Sequence, residues 1–349
     1  MNSATMRFTG QRQALIARLF PAGVPLLWCP SLTHYASDGS IDKERMRAHL
    51  KFMHPAVGGF LIPGSTGEGW EMTDFEVREL LEFMVDEIHD VKAHLLIGVL
   101  KTDIDAVLTA MEDTIDWLKA KTGTQDAMKA LEQSSVCGFT VCPPAGKDLG
   151  QARIHAALES VLALGVPVSL YQLPQVTQNE MSPDTIATLG AKHPNFYLFK
   201  DTSGVDRVAA SGFRDAFLVR GAEGNYSAHL AAAGGNYDGF LLSTANCFGP
   251  QLAEMIGNLQ GGRTAQAEAF SQKLTALTDE VFALAGQVGY GNAFTNANKA
   301  MDHFFARGPD AAKVQPPRLH SRRLLPVDLI EATGAALKRR ELMPESGYL

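Results

Sequence analysis

At 349 residues, 46% hydrophobic and 20% charged, the chain has the composition of a soluble globular protein with room for a large core. A formal net charge of −7 without a clustered basic stripe argues against a nucleic-acid partner, and no run approaches the roughly eighteen apolar residues that a membrane helix needs. The four cysteines (Cys29, Cys137, Cys142, Cys247) are scattered without a CxxC pair, so reduced thiols in a cytoplasmic protein are expected.

The stretch from Met1 to Phe20 interrupts short apolar steps with Arg7, Arg12 and Arg18, so a secretory signal is not expected there. From Val24 onward, short apolar runs alternate with longer amphipathic ones. The strand candidates are Val24–Cys29, Val57–Ile62, His94–Leu100, Val136–Cys142, Val166–Tyr171, Phe196–Lys200, Phe217–Arg220 and Tyr237–Ser243. Helical patterns over Lys43–His54, Asp74–His89, Gln151–Leu164 and Ser182–Lys192 lie between them. Thr73 stands three residues before Glu76 at capping-box spacing, and Ser182 precedes Pro183 at a helix start. Trp117 to Ser134 is long for one connection and contains Gly123, so an insertion or a helix pair is expected. Strict alternation implies parallel βαβ units, and eight of them over about 220 residues predict a closed (β/α)8 TIM barrel.

After the eighth strand the pattern turns helical, from Gln251 to about Ala285, then over Asn296–Ala306 and Asp328–Arg340. The expected division is a barrel over residues 20–250 and a C-terminal helical extension over 251–349. The basic stretch Arg318 to Arg323 reads as a solvated segment.

In such a barrel the active site lies at the C-terminal strand ends. Strand two ends in Pro63-Gly64-Ser65-Thr66-Gly67-Glu68-Gly69, a turn with two hydroxyls and exposed amides that suits an anion such as a carboxylate. No Gly-Lys-Ser/Thr follows, which excludes a phosphate loop. Strand five ends in Tyr171, either a packed tyrosine or a proton carrier near a reacting amine. The sixth run, Asn195-Phe196-Tyr197-Leu198-Phe199, delivers Lys200 to the lip of the core, where desolvation disfavours the ammonium form. Alone, Lys200 reads as an ordinary strand cap; the Ser-Thr turn and Tyr171 weigh against that. His34 and Tyr35 read as a surface loop, Lys101 as solvated, Asn246 as a support and Glu68 as binding its own turn. The ten histidines show no HxxH or HExxH spacing that would supply a metal site, and neither a metal nor a cofactor is expected.

Taken together, Gly64–Glu68, Tyr171 with Pro174, Lys200-Asp201-Thr202-Ser203-Gly204, Pro25–Pro30 and Gly239–Asn246 resemble the dihydrodipicolinate synthase / N-acetylneuraminate lyase family from about Val24 to Leu259. The resemblance implies a class I, Schiff-base lyase acting on a pyruvate-like 2-oxo acid. Lys200 would form the imine, and Ser65 and Thr66 would hold the carboxylate, with Leu241 a further substrate contact. Tyr171 would shuttle protons, relayed through the Ser65 hydroxyl. It also implies a homo-oligomer, tetramer or dimer. Two departures stand out: Ala145 where the family often has a relay tyrosine, and Val176 where the synthases have a carboxylate-gripping arginine. A dehydratase or deaminase using the same lysine, and a non-catalytic 2-oxo-acid binder, remain alternatives.

Overall fold

The structure, a computed structural model, describes residues 7–349. Eight parallel strands close in sequence order into a barrel: β1 (Leu27–Pro30), β2 (Gly59–Ile62), β3 (His94–Val99), β4 (Val136–Val141), β5 (Val168–Gln172), β6 (Phe196–Asp201), β7 (Phe217–Arg220) and β8 (Gly239–Leu241). Alternate residues point to the barrel axis and to the surrounding helices, as the two-residue period requires. The inner set includes Trp28, Leu61, Leu96, Cys137, Leu198, Val219 and Leu241. Trp28 is the bulk of this layer, and a Cβ on facing Gly59 would fall 2.1 Å from its ring, so only glycine fits there.

Helix Gly10–Leu19 lies in a stretch with no predicted element, and six of that stretch's residues fall outside the described chain. Its Ile16 and Leu19, with Phe20, complete the inner core. The Phe20 ring centroid lies 4.7 Å from His94 at the start of β3, so this segment plugs the N-terminal end of the barrel. Function is thereby confined to the opposite end.

The helix ends follow local chemistry. Thr73 and Glu76 form a reciprocal capping box on helix Asp74–Asp90, and the Ser182 side chain accepts from the Thr185 amide. The long connection before β4 holds two helices, Ile104–Thr122 and Ala127–Gln133, separated at Gly123 with φ 71°.

The helical stretch Gln251–Ala285 spans two helices. Helices Ala245–Gln260 and Thr264–Ala285 are broken at Gly261-Gly262, and the expected boundary at residue 250 falls inside the first. Helices Ala293–Arg307 and Val327–Arg339 complete the C-terminal part. The basic stretch is solvated only in part: Leu319 is buried, and the main chain of Arg318 and His320 bonds Lys299 and Glu68. Among the described residues no helix is long and apolar enough to cross a membrane.

Candidate active site

Lys200 is the fifth of the six residues of β6 and is 3% exposed. In the parallel register it neighbours Tyr171 on β5, and its Nζ stands 4.0 Å from the centre of the Tyr171 ring. Burial lowers the lysine pKa from 10.5 to about 7, and Cys142, Glu223 and Cys29 oppose that only in part. The Cys142 thiol is itself pushed up to about 12 by burial. Burial thus keeps that thiol neutral near pH 7, and Glu223 is the one carboxylate among the three opposing groups. Gly221, just past β7, makes room for the lysine stem: a Cβ there would lie 2.9 Å from Lys200 Cε and 2.6 Å from Thr202 Oγ1.

Burial also raises the Tyr171 phenol above its usual range, while the hydroxyls of Thr202 and Ser65 act the other way. The Thr202 contact is loose, since its Oγ1 completes no hydrogen bond of normal geometry among the described residues. The Trp70 indole N–H donates to Ser65 Oγ at 2.9 Å, fixing that hydroxyl beside the phenol. Ser65 and Thr66 sit in a turn closed by the Gly67 and Gly69 amides on the Gly64 carbonyl, at 3.0 and 3.1 Å. No acceptor among the described residues takes the Ser65 and Thr66 amide hydrogens. A small anion beside Lys200 would thus meet free donors.

The structure brings Lys200, Tyr171, Ser65 and Thr66 together at one mouth. Leu241 lies elsewhere: its side chain is fully enclosed in the inner core with Trp28 and Leu198, so only its main chain can serve a ligand. His34 is buried rather than on a surface loop, with Nε2 2.9 Å from His49 Nδ1. Glu68 does not bind its own turn; its carboxylate takes the Lys299 ammonium and the His320 amide. Lys101 pairs with Asp74 at 2.6 Å. Asn246 supports the strand ends, accepting from the Leu32 amide and donating to the Pro30 and Ser243 carbonyls.

Two residues were not singled out from sequence. Trp70 packs with Val176 against Cys142, Tyr171 and Leu173, forming an apolar wall beside the amine. Glu223 accepts four hydrogen bonds, from Ser243 Oγ at 2.6 Å, Thr244 N at 3.0 Å, Thr244 Oγ1 at 2.7 Å and Tyr226 OH at 2.9 Å. A lone acid in a glycine turn carries little local signal; its position just after a strand was the available clue.

The chain is similar to known proteins in sequence and in fold. A 4-hydroxy-tetrahydrodipicolinate synthase from Bacillus velezensis is 26% identical over 258 residues, covering 72% of this chain and 81% of that protein. A prophage protein of the dihydrodipicolinic acid synthase family from E. coli K12, solved with pyruvate, superposes with a TM-score of 0.68 at 20% identity, covering 91% of this chain and 99% of that one. KD(P)GA from T. tenax gives a TM-score of 0.66 at 18% identity, over 90% and 98% of the two chains. At those identities the solved structures speak for the fold. The model of the Dihydrodipicolinate synthetase family matches residues 27–290, most of the chain. The chain therefore belongs to the dihydrodipicolinate synthetase family, a family of lyases.

Proposed function

We propose that the protein is a Schiff-base lyase that makes or breaks a carbon–carbon bond next to pyruvate or a related 2-oxo acid. The observation that carries this is the Lys200 amine, lowered to about 7 by burial and set against the Tyr171 ring. A neutral amine is the nucleophile such chemistry needs. Lys200 Nζ attacks the ketone carbon, and the carbinolamine oxygen leaves as water once protonated. The resulting iminium draws electrons from the adjacent carbon, so a bond there can break to an enamine or, in reverse, form from one. Tyr171 carries the protons in this reading, which its reach to the Ser65 hydroxyl supports. The amides of Ser65 and Thr66 hold the carboxylate in this reading, which their lack of another acceptor among the described residues supports.

The rest of the substrate is less charged than aspartate semialdehyde. Val176 packs into the apolar wall and offers no donor to a second carboxylate, while Ala145 supplies no phenol. Reduction by borohydride in the presence of pyruvate should add one pyruvyl group to the peptide containing Lys200. Labelling of Lys101 or Lys147 instead, or of no lysine across a panel of 2-oxo acids, defeats the assignment. A homo-oligomer, tetramer or dimer, is part of the same reading, as the family resemblance implies. Sedimentation as a monomer at micromolar concentration would remove that part.

A further inference from the structure

Helix Ala293–Arg307 is buried along its length, yet much of what it buries is polar, including Thr295, Asn296, Asn298, Lys299 and Asp302. A helix that only had to pack would be apolar on that face, because buried polar groups are unfavourable unless bonded. Thr295, Lys299 and Asp302 are spaced four and three apart and so share one face. Two of the three bind the turn that carries Ser65. Thr295 Oγ1 shares its one hydrogen between the Thr66 carbonyl at 3.0 Å and the Ser65 carbonyl at 3.3 Å. Asn292, which caps the helix through the Thr295 amide, donates its Nδ2 to the Ser65 carbonyl at 3.3 Å. One turn along, the Lys299 ammonium binds Glu68 and the Arg318 carbonyl, with no exposure of its side chain. Asp302 closes the row by holding Arg45 and Tyr348, each at 2.8 Å.

The geometry of a trans peptide gives this grip a direction. The Ser65 carbonyl and the Thr66 N–H belong to one planar unit and point opposite ways. The Ser65 carbonyl also takes the Glu68 amide at 3.2 Å, so the helix donors reinforce a bond within the turn. With the carbonyl held on the helix side, the Thr66 N–H faces away from the helix and meets no acceptor among the described residues. We propose that Asn292, Thr295 and Lys299 are positioning residues for the 2-oxo-acid carboxylate, acting through the Ser65–Glu68 turn. The C-terminal helices thereby form part of the substrate site without touching substrate. This rests on the Schiff-base reading of the Lys200 mouth.

Lys299→Met would leave Glu68 buried without its counter-charge and risks unfolding, so Thr295→Val carries the test. It keeps the shape of the side chain and removes only the donor. In borohydride trapping with pyruvate, half-saturation should move up about two- to tenfold, the range expected for a lost hydrogen bond. The rate at saturation should stay within about twofold, and Thr295→Ser should restore the wild-type value. Without any substrate, hydrogen exchange at the bonded turn amides of Gly67, Glu68 and Gly69 should quicken in Thr295→Val while the barrel strands keep their protection. Unchanged half-saturation together with unchanged exchange in the turn overturns the proposal. If the wild type traps no 2-oxo acid, the reading of Lys200 fails instead. Exchange in the turn then decides the positioning role by itself, and unchanged protection refutes it.

Discussion

The buried amine of Lys200 should impose a characteristic pH dependence on both reaction and stability. With its pKa lowered to about 7, about half of the folded molecules carry a neutral amine at pH 7, against about one in three thousand for a lysine at 10.5. Imine formation should therefore rise about tenfold per pH unit below 6 and level off above 8. Rapid mixing with pyruvate, a borohydride quench and intact mass would follow it. Stability should change in the same window. The unfolded chain holds this proton up to about 10.5 and the folded protein only to about 7, so stability climbs as pH rises from 7 to 10.5. Those values differ by about 3.5, and at about 1.4 kcal/mol per pH unit the buried charge costs at most about 5 kcal/mol at pH 7 and below. Lys200→Met removes the charge, so the variant should exceed wild type in stability at pH 6, by up to several kcal/mol in urea titrations. The advantage should fade toward pH 10. An imine rate still climbing above pH 9, or a stability gain independent of pH, refutes the reasoning.

Tyr171→Phe should lower turnover by about 10²–10⁴ with little change in half-saturation; a loss of less than a few-fold would reduce Tyr171 to packing. Gly221→Ala should slow trapping at least tenfold while the fold survives with a cost of about 1–3 kcal/mol, because the new methyl collides with Lys200 Cε and Thr202 Oγ1. Wild-type trapping rates in that variant would show that the lysine stem has room to move. As purified, the protein should turn over aspartate semialdehyde with pyruvate far below the median enzyme rate of about 10 s⁻¹. Val176→Arg should raise its specificity for that aldehyde about ten- to hundredfold, measured with a coupled reductase. No gain would mean that position 176 does not face the distal carboxylate.

The barrel was legible because its evidence is local. Alternating apolar runs and amphipathic stretches, with caps such as Thr73–Glu76, dictate parallel units wherever the partners lie. The same locality placed Lys200, Tyr171 and Ser65 at strand ends, since an apolar run stopping at a polar turn marks the lip of the core. Helix Gly10–Leu19 escaped notice because Arg12 and Arg18 break its apolar stripe; Arg12 is anchored on main-chain carbonyls of distant segments. His34 reads as a surface loop and Glu68 as binding its own turn, yet both prove buried, together with Lys299 and Asp302, which the sequence does not mark out. What buries them is a partner far along the chain, 231 residues away for Glu68 and Lys299, and no periodicity records such a pairing. The amino-acid order thus determined which residues reach the mouth of the barrel. Only the tertiary structure decided their protonation and aim, because desolvation of Lys200 and the direction of the Thr66 amide both depend on neighbours brought in from other strands and from the C-terminal helices.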